Sequence, residues 1–360
     1  MLIAQTIFAV LLLAVTLVPF LPVAHGIVRI GDFPRQQILV LALICLAVSV
    51  FADSYMFDRT LFDVVFAAVA LFQAWFIAEF TPIWRKRSKD HDPQADRGER
   101  FRLVASNVKM SNRDYAAHAR MIEASDPDIL ILMEVDDAWI EGLKSTLERY
   151  PHRVDRAQDN SYGMFMASKL RLDDVSVQDL LTEGIPSIFA TVVVTEDLRF
   201  RLYSIHPEPP VPTRGTEGRD GETSLIALKA RENDGPVIVT GDLNDVAWSK
   251  TTRRFLRISG LLDPRIGRRM INSFDARYWF MRWPLDHLFH SAHFRLIDMK
   301  RLEPGGSDHF PVQFDLFLCH EERDHKEPEE ADAEDLSRAR TLVKEARERH
   351  EEPIGTDWET

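Results

Sequence analysis

Hydrophobic positions divide the chain into an apolar front and a patterned remainder. The first 28 residues contain no Asp, Glu, Lys or Arg. Ile7–Ala24 (IFAVLLLAVTLVPFLPVA) approaches the ~20 apolar residues that cross a bilayer core. A second uncharged run covers Gln36–Ala52 and extends through Tyr55, Met56 and Phe57. A third, Leu61–Trp84, holds Asp63 and Glu79 near its ends and Trp75, Phe76, Phe80 and Trp84 as interfacial aromatics. Three membrane spans are predicted over residues 1–87. A cleaved signal peptide followed by two core helices fits less well, because no Lys or Arg precedes the first run and two more runs follow at once. Arg29 and Arg35 lie in the first connection, and Arg85-Lys86-Arg87-Ser88-Lys89 follows the third span. Placing both inside predicts a multi-pass protein of the inner or plasma membrane with its soluble part in the cytoplasm.

Beyond a polar linker at 88–100, short β-branched and aliphatic runs predict strands at 101–106, 129–133, 163–168, 188–194, 200–205, 237–240 and 311–317. Helical spacing predicts helices at 112–124, 138–150, 223–232 and 250–258. The runs 188–194 and 199–205, joined by Thr195-Glu196-Asp197-Leu198, read as a hairpin, which argues against a purely parallel βαβ protein. A mixed α/β (α+β) sandwich over 101–318 fits best. Residues 319–360 form an acidic tail, helical or disordered, that nearly lacks an apolar face.

Taken as an average, the formal net charge of -12 disfavours an anionic substrate. Most of it sits in the tail, where seven basic residues face fifteen acidic ones between 320 and 360. Residues 85–319 carry 34 basic and 36 acidic residues and are almost neutral. Two cysteines, Cys45 and Cys319, and no Cys/His cluster leave oxygen ligands as the route to metal chemistry.

Polar residues fall where apolar strands end: Asn107, Glu134, His206, Asp242 with Asn244, Asp286, and Asp308 with His309. Gathered at one edge, they make an oxygen-rich group with imidazoles at its rim. That composition suits a hard cation such as Mg²⁺ and acid/base chemistry at phosphorus.

The ordered series SNV (106–108), ILILME (129–134), YSIHPEP (203–209), VTGDLND (239–245), LDHLFHS (285–291) and GSDHFPV (306–312) resembles the endonuclease/exonuclease/phosphatase, or DNase-I-like, superfamily over roughly 101–318. The resemblance implies a four-layer αββα sandwich that cleaves phosphoester bonds with Mg²⁺ or Mn²⁺. It implies Glu134 as the main metal ligand, helped by Asn107 and Asp308, and Asp242 as the group that deprotonates water. Asn244 is then a donor to the phosphate, His309 a phosphate contact oriented by Asp286, and His206 the general acid. Two departures stand out: Met133 replaces the Gln common before the metal-binding Glu, and SNVKM lacks the glycine that often follows.

The segment Phe274–Pro284 (FDARYWFMRWP) places Arg277, Trp279, Arg282 and Trp283 just before Asp286, as candidates for substrate binding. They suit bases and phosphates of a nucleic acid or, instead, lipid headgroups, and a plain packing role for two of the aromatics is at least as good a reading. The expected protein is a membrane-anchored, nuclease-like phosphodiesterase whose partners are the bilayer and a phosphodiester, with no obligate protein partner. A lipid phosphodiesterase or phosphatase of the same fold, and a catalytically silent membrane scaffold, are the alternatives.

Overall fold

The computed structural model describes residues 2–51, 57–320 and 330–355. The apolar front forms α1 (Leu2–Leu17), the short α2 (Gly26–Ile30), α3 (Arg35–Phe51) and α4 (Phe57–Ala78). Two stretches, Ile3–Phe20 and Thr60–Ala78, are long and apolar enough to cross a membrane, where three were expected. The seventeen residues of α3 rise about 25 Å, short of a core of about 30 Å. Tyr55 and Met56, expected to lengthen that span, lie outside the described residues. The third run was expected to continue to Trp84, but its helix stops at Ala78 and Glu79 turns to Arg253 of the soluble part, 2.8 Å away.

The first connection is not a free basic loop. Arg29 is buried against Asp220 at 2.6 Å, and Arg35 is bonded to Asp32 and to Gln73. Their charges are offset inside the protein, which weakens the orientation argument drawn from them. Asp220 lies between Arg29 and Arg219 with no solvent access, so losing one partner leaves a buried carboxylate half compensated. Arg29→Ala is expected to cost about 3 kcal/mol, read as a lower melting midpoint of the full chain in detergent.

The strands are β1 (Gly98–Asn107), β2 (Ile129–Met133), β3 (His152–Arg156), β4 (Met164–Ser168), β5 (Arg171–Asp179), β6 (Pro186–Val193), β7 (Arg199–Ser204), β8 (Val237–Asp242), β9 (Asp286–His290), β10 (Phe294–Arg301) and β11 (Val312–Cys319). They form one sheet in the order β10-β11-β1-β2-β4-β3 and a second in the order β5-β6-β7-β8-β9. Period-two alternation sorts the side chains into layers. On β2, Ile129, Ile131 and Met133 point into the core between the sheets, while Leu130 and Leu132 point to the outer helices. β8 does the same, with Ile238 inward and Val237 and Val239 outward. A strand buried on both faces reads as a continuous apolar run, as ILILM does.

The helices α5 (Tyr115–Ser125), α6 (Asp137–Gly142) and α7 (Lys144–Leu147) cover the first sheet, and α8 (Glu217–Arg231) and α9 (Lys250–Ser259) the second. Ser249 caps α9 by accepting from Thr252 N–H, and Gly260 closes it in the left-handed region. The result is the expected four-layer αββα sandwich. The tail departs from expectation: α10 (Ala333–Glu348) lies against α8 and buries Ala339, Leu342, Val343 and Ala346. Its stripe is narrow, Leu342 and Val343 between two alanines, and the surrounding charges mask it in sequence. The tail segments 321–329 and 356–360 lie outside the described residues.

Candidate active site

Strand pairing brings the polar strand ends together. β1 and β2 run parallel with Asn107 beside Met133, which sets Asn107 and Glu134 at one edge of the first sheet. β8 and β9 pair antiparallel with Asp242 opposite Asp286 at the same edge of the second. Gly241, at φ 144°, lets β8 pass close to β7, since a Cβ there would strike the Ile205 carbonyl beside His206. Lys109, Glu134, Ser161 and Asn244 sit at φ 58°, 60°, 64° and 51°, a left-handed backbone rare for non-glycine residues and found here at four positions around one cavity.

Asn107 ties the sheets together. Its Nδ2 donates to Glu134 Oε1 at 2.7 Å and to Asp242 Oδ2 at 3.2 Å, and its Oδ1 accepts from Lys109 N–H. Glu134 also accepts from Met110 N–H at 3.2 Å. Its hydrogen-bond partners are thus neutral, and removal from water pushes its carboxyl up to about 7. Asp242 Oδ1 accepts from Asn244 N–H, and burial raises its carboxyl too, against His309 Nε2 at 3.4 Å. Asn244 Nδ2 is held by the Pro207 carbonyl at 2.9 Å.

The two histidines take different charge states. Burial holds His206 down to about 4, with Asp242 3.9 Å away, so its ring is neutral near pH 7. Burial also opposes charge on His309, but Asp286 Oδ2 at 2.8 Å from Nδ1, and Asp242, overcome it and push the ring up to about 10. Near pH 7 the proton-bearing ring is therefore His309, whereas His206, the expected general acid, is neutral.

A cavity of about 350 Å³ is lined by Glu134, His206, Asp242, Asn244, Asp308 and His309, together with Lys109 and Arg277. Asn107 is buried beneath it, and Asp286 stands behind His309. Asp308 is already matched by protein cations, Lys109 Nζ at 2.7 Å and Arg277 Nη2 at 3.7 Å, so it is a poorer cation ligand than expected. Of the aromatic segment, Phe274 and Arg277 stand in the lining, and Arg277 is the one substrate-binding candidate among them. Trp279 points to solvent at 83% exposure, Arg282 stacks on Phe310, and Trp283 packs between Phe33 and Phe274. Three of the four substrate-binding candidates thus lie outside the cavity.

Wall residues that escaped the sequence reading include Phe33 from the connection between α2 and α3, Ser161 and Tyr162, Pro210, and Ile354 and Gly355 from the tail. Tyr162 OH donates to the Ile354 carbonyl, and Glu208 holds both Arg349 and Ile354 N–H. Glu208, in the YSIHPEP run, was the available signal, because a buried carboxylate needs a partner.

A compact group of Asp242, Asp286 and His309 has ligand atoms within 4.8 Å of one another. Both ring nitrogens of His309 face carboxylates there, so this group handles protons better than a metal. Glu134, with hard oxygen donors and neutral partners, fits a divalent cation, which would offset the cost of its burial.

A two-sheet sandwich with carboxylates, amides and a charged imidazole converging at one edge defines a metal-dependent phosphoesterase. The model of the Endonuclease/Exonuclease/phosphatase family matches residues 104–309, and the chain belongs to that family of hydrolases acting on phosphoester bonds. Among solved structures, D. rerio TDP2 complexed with single strand DNA product is similar with a TM-score of 0.50 at 17% identity, covering 61% of this chain and 99% of that chain. The endonuclease/exonuclease/phosphatase from Beutenbergia cavernae DSM 12333 is similar with a TM-score of 0.50 at 18% identity, covering 62% of this chain and 72% of that chain. Both likenesses concern the fold. No curated protein matches the sequence.

Proposed function

We propose a membrane-anchored, Mg²⁺- or Mn²⁺-dependent phosphodiesterase that cleaves its substrate by attack of an activated water. The observation that carries this reading is the opposed pair at the cavity floor, Asp242 as a buried carboxylate and His309 as a charged imidazole 3.4 Å from it. Asp242 takes the proton from water, and Asn244 and His309 face the charge that builds on phosphate. His309, held by Asp286, returns a proton to the leaving oxygen. Water oxygen bonds to phosphorus, one P–O ester bond breaks, and a phosphomonoester and an alcohol result. Glu134, with Asn107 beside it, would hold the cation, which supplies charge neutralisation at the phosphate oxygens.

Anchoring is supported by the two helices of spanning length, and the RKRSK exit after the last favours a cytoplasmic sandwich. Of the two substrate classes, a lipid phosphoester is better supported than a nucleic acid. The cavity is walled by Phe33 and closed on another side by Ile354–Gly355, a pocket rather than a groove that tracks a polymer. Beside it Tyr278, Trp279, Phe280 and Met281 are exposed, and Phe280 carbonyl accepts from Gln37 in the first turn of α3. With the chain anchored as proposed, these four side chains would lie at headgroup depth.

The full chain in vesicles is expected to hydrolyse bis(p-nitrophenyl) phosphate, to stop in EDTA and to recover with Mg²⁺ or Mn²⁺. Glu134→Ala should raise the metal concentration needed by at least about tenfold. Turnover that survives EDTA would refute the reading. Phospholipid, single-stranded DNA and RNA offered side by side should give cleavage of the lipid alone.

A further inference from the structure

A second cavity, of about 330 Å³, lies where the apolar helices meet the sandwich, away from the catalytic residues. Pro19 and Phe20 at the end of the first spanning stretch and Phe76 and Phe80 at the end of α4 form its apolar wall. Five basic residues, Arg35, Arg87, Lys250, Arg253 and Arg257, line it with them, against two acids, Asp32 and Glu79. Three of the five are committed: Arg35 to Asp32, Arg253 to Glu79 at 2.8 Å, and Arg257 to Asp335 of α10 at 2.7 Å. Among the described residues Arg87 and Lys250 have no carboxylate partner. Two cations without a close ion pair thus border a cavity that aromatic rings also line.

We propose that this cavity binds the phosphate of an anionic lipid headgroup. The assignment rests on the membrane-anchored reading, which sets the ends of α1 and α4 at the headgroup layer. Basic pockets beside membrane helices on the cytoplasmic side recognise anionic headgroups, and each Lys or Arg near the surface contributes attraction. The geometry matches. Phosphate meets Arg87 and Lys250, neither of which is tied up in a close ion pair, Lys250 feeling Glu334 only at longer range, while glycerol and acyl carbons meet Phe20 and Phe76. Arg35 and Arg253 lie over the Phe76 ring at 4.0 and 4.9 Å, so that ring is already braced by cations and cannot collapse into the cavity. An occupant would touch α1, α4 and α9 together and lock the anchor to the sandwich.

The same chemistry would accept free phosphate, and the test separates the two. Full-length protein in nonionic detergent is titrated with phosphatidylglycerol, phosphatidylcholine or inorganic phosphate, and its melting midpoint is followed. Phosphatidylglycerol is expected to raise the midpoint and phosphatidylcholine to leave it unmoved. The double variant Arg87→Gln, Lys250→Gln should require about thirtyfold more phosphatidylglycerol for the same rise. Its hydrolysis of bis(p-nitrophenyl) phosphate should equal wild type, which verifies folding, since neither residue touches the catalytic cavity. A rise of equal size with inorganic phosphate supports the anion pocket but makes its occupant a free anion. A variant that responds like wild type, or an equal response to phosphatidylcholine, overturns the proposal. Membrane fractions washed in alkaline carbonate test the anchor separately: release of the wild-type chain sinks the anchored reading, whereas retention with an unaltered variant response sinks the lipid site alone.

Discussion

Asp242→Asn is expected to lower kcat by about a thousandfold while the protein stays folded. The amide keeps the size of the carboxylate, and its oxygen still accepts from Asn244 N–H, so the turn after β8 is retained. What disappears is the charge that takes the proton from water and the anion that faces His309 Nε2. Because burial holds the Asp242 carboxyl above its usual range, removing the charge relieves a desolvation cost, and the melting midpoint without metal should not fall. The raised carboxyl also predicts the wild-type pH profile. Activity falls on the acid side as Asp242 takes up a proton, and the variant lacks that limb. Rates with bis(p-nitrophenyl) phosphate at saturating Mg²⁺, alongside thermal unfolding, check both points. A variant within tenfold of wild type would place the base elsewhere.

Much of this site was legible because a strand's end is legible. An apolar run that stops at Asn107, Glu134 or Asp242 fixes both the strand and the residue at its edge, and sheet pairing then gathers the edges. The buried strands β2, β4, β6, β7 and β8 were visible for the same reason. The strands β3 (HRVDR) and β5 (RLDDVSVQD) were not, since each ends a sheet and carries the charged, half-exposed residues that protect such edges from further pairing. The helix expected over 138–150 breaks into α6 and α7 at Gly142–Leu143, a Gly cost that the apolar spacing concealed. Long-range packing was hidden altogether. Phe33 reaches the cavity from the membrane end of the chain and Ile354 from the other terminus, and no local pattern links either to Glu134. The aromatic segment was legible only in part for a related reason: composition showed Arg and Trp near Asp286, but not that Arg277 alone of the four candidates lines the cavity.

Asp286→Asn should lower kcat at neutral pH by about a hundredfold through His309 alone, since Asp286 stands behind that ring and outside the cavity lining. The carboxylate 2.8 Å from Nδ1 fixes the ring's orientation and, with Asp242, holds its proton. Burial favours the neutral ring, so with Asn at 286 the pKa of His309 drops from about 10 toward its usual value of 6.5. The alkaline limb of the kcat profile should therefore move to lower pH, and part of the loss should be recovered below pH 6.5, where the ring takes up its proton again. Stability follows the same sign. A histidine raised from 6.5 to about 10 contributes stabilisation that is fully present below 6.5 and is lost as pH rises toward 10. Wild type should thus exceed the variant in melting midpoint most at low pH, with the difference closing on the alkaline side. A merely structural role for Asp286 would lower kcat and stability equally at every pH and leave the alkaline limb in place.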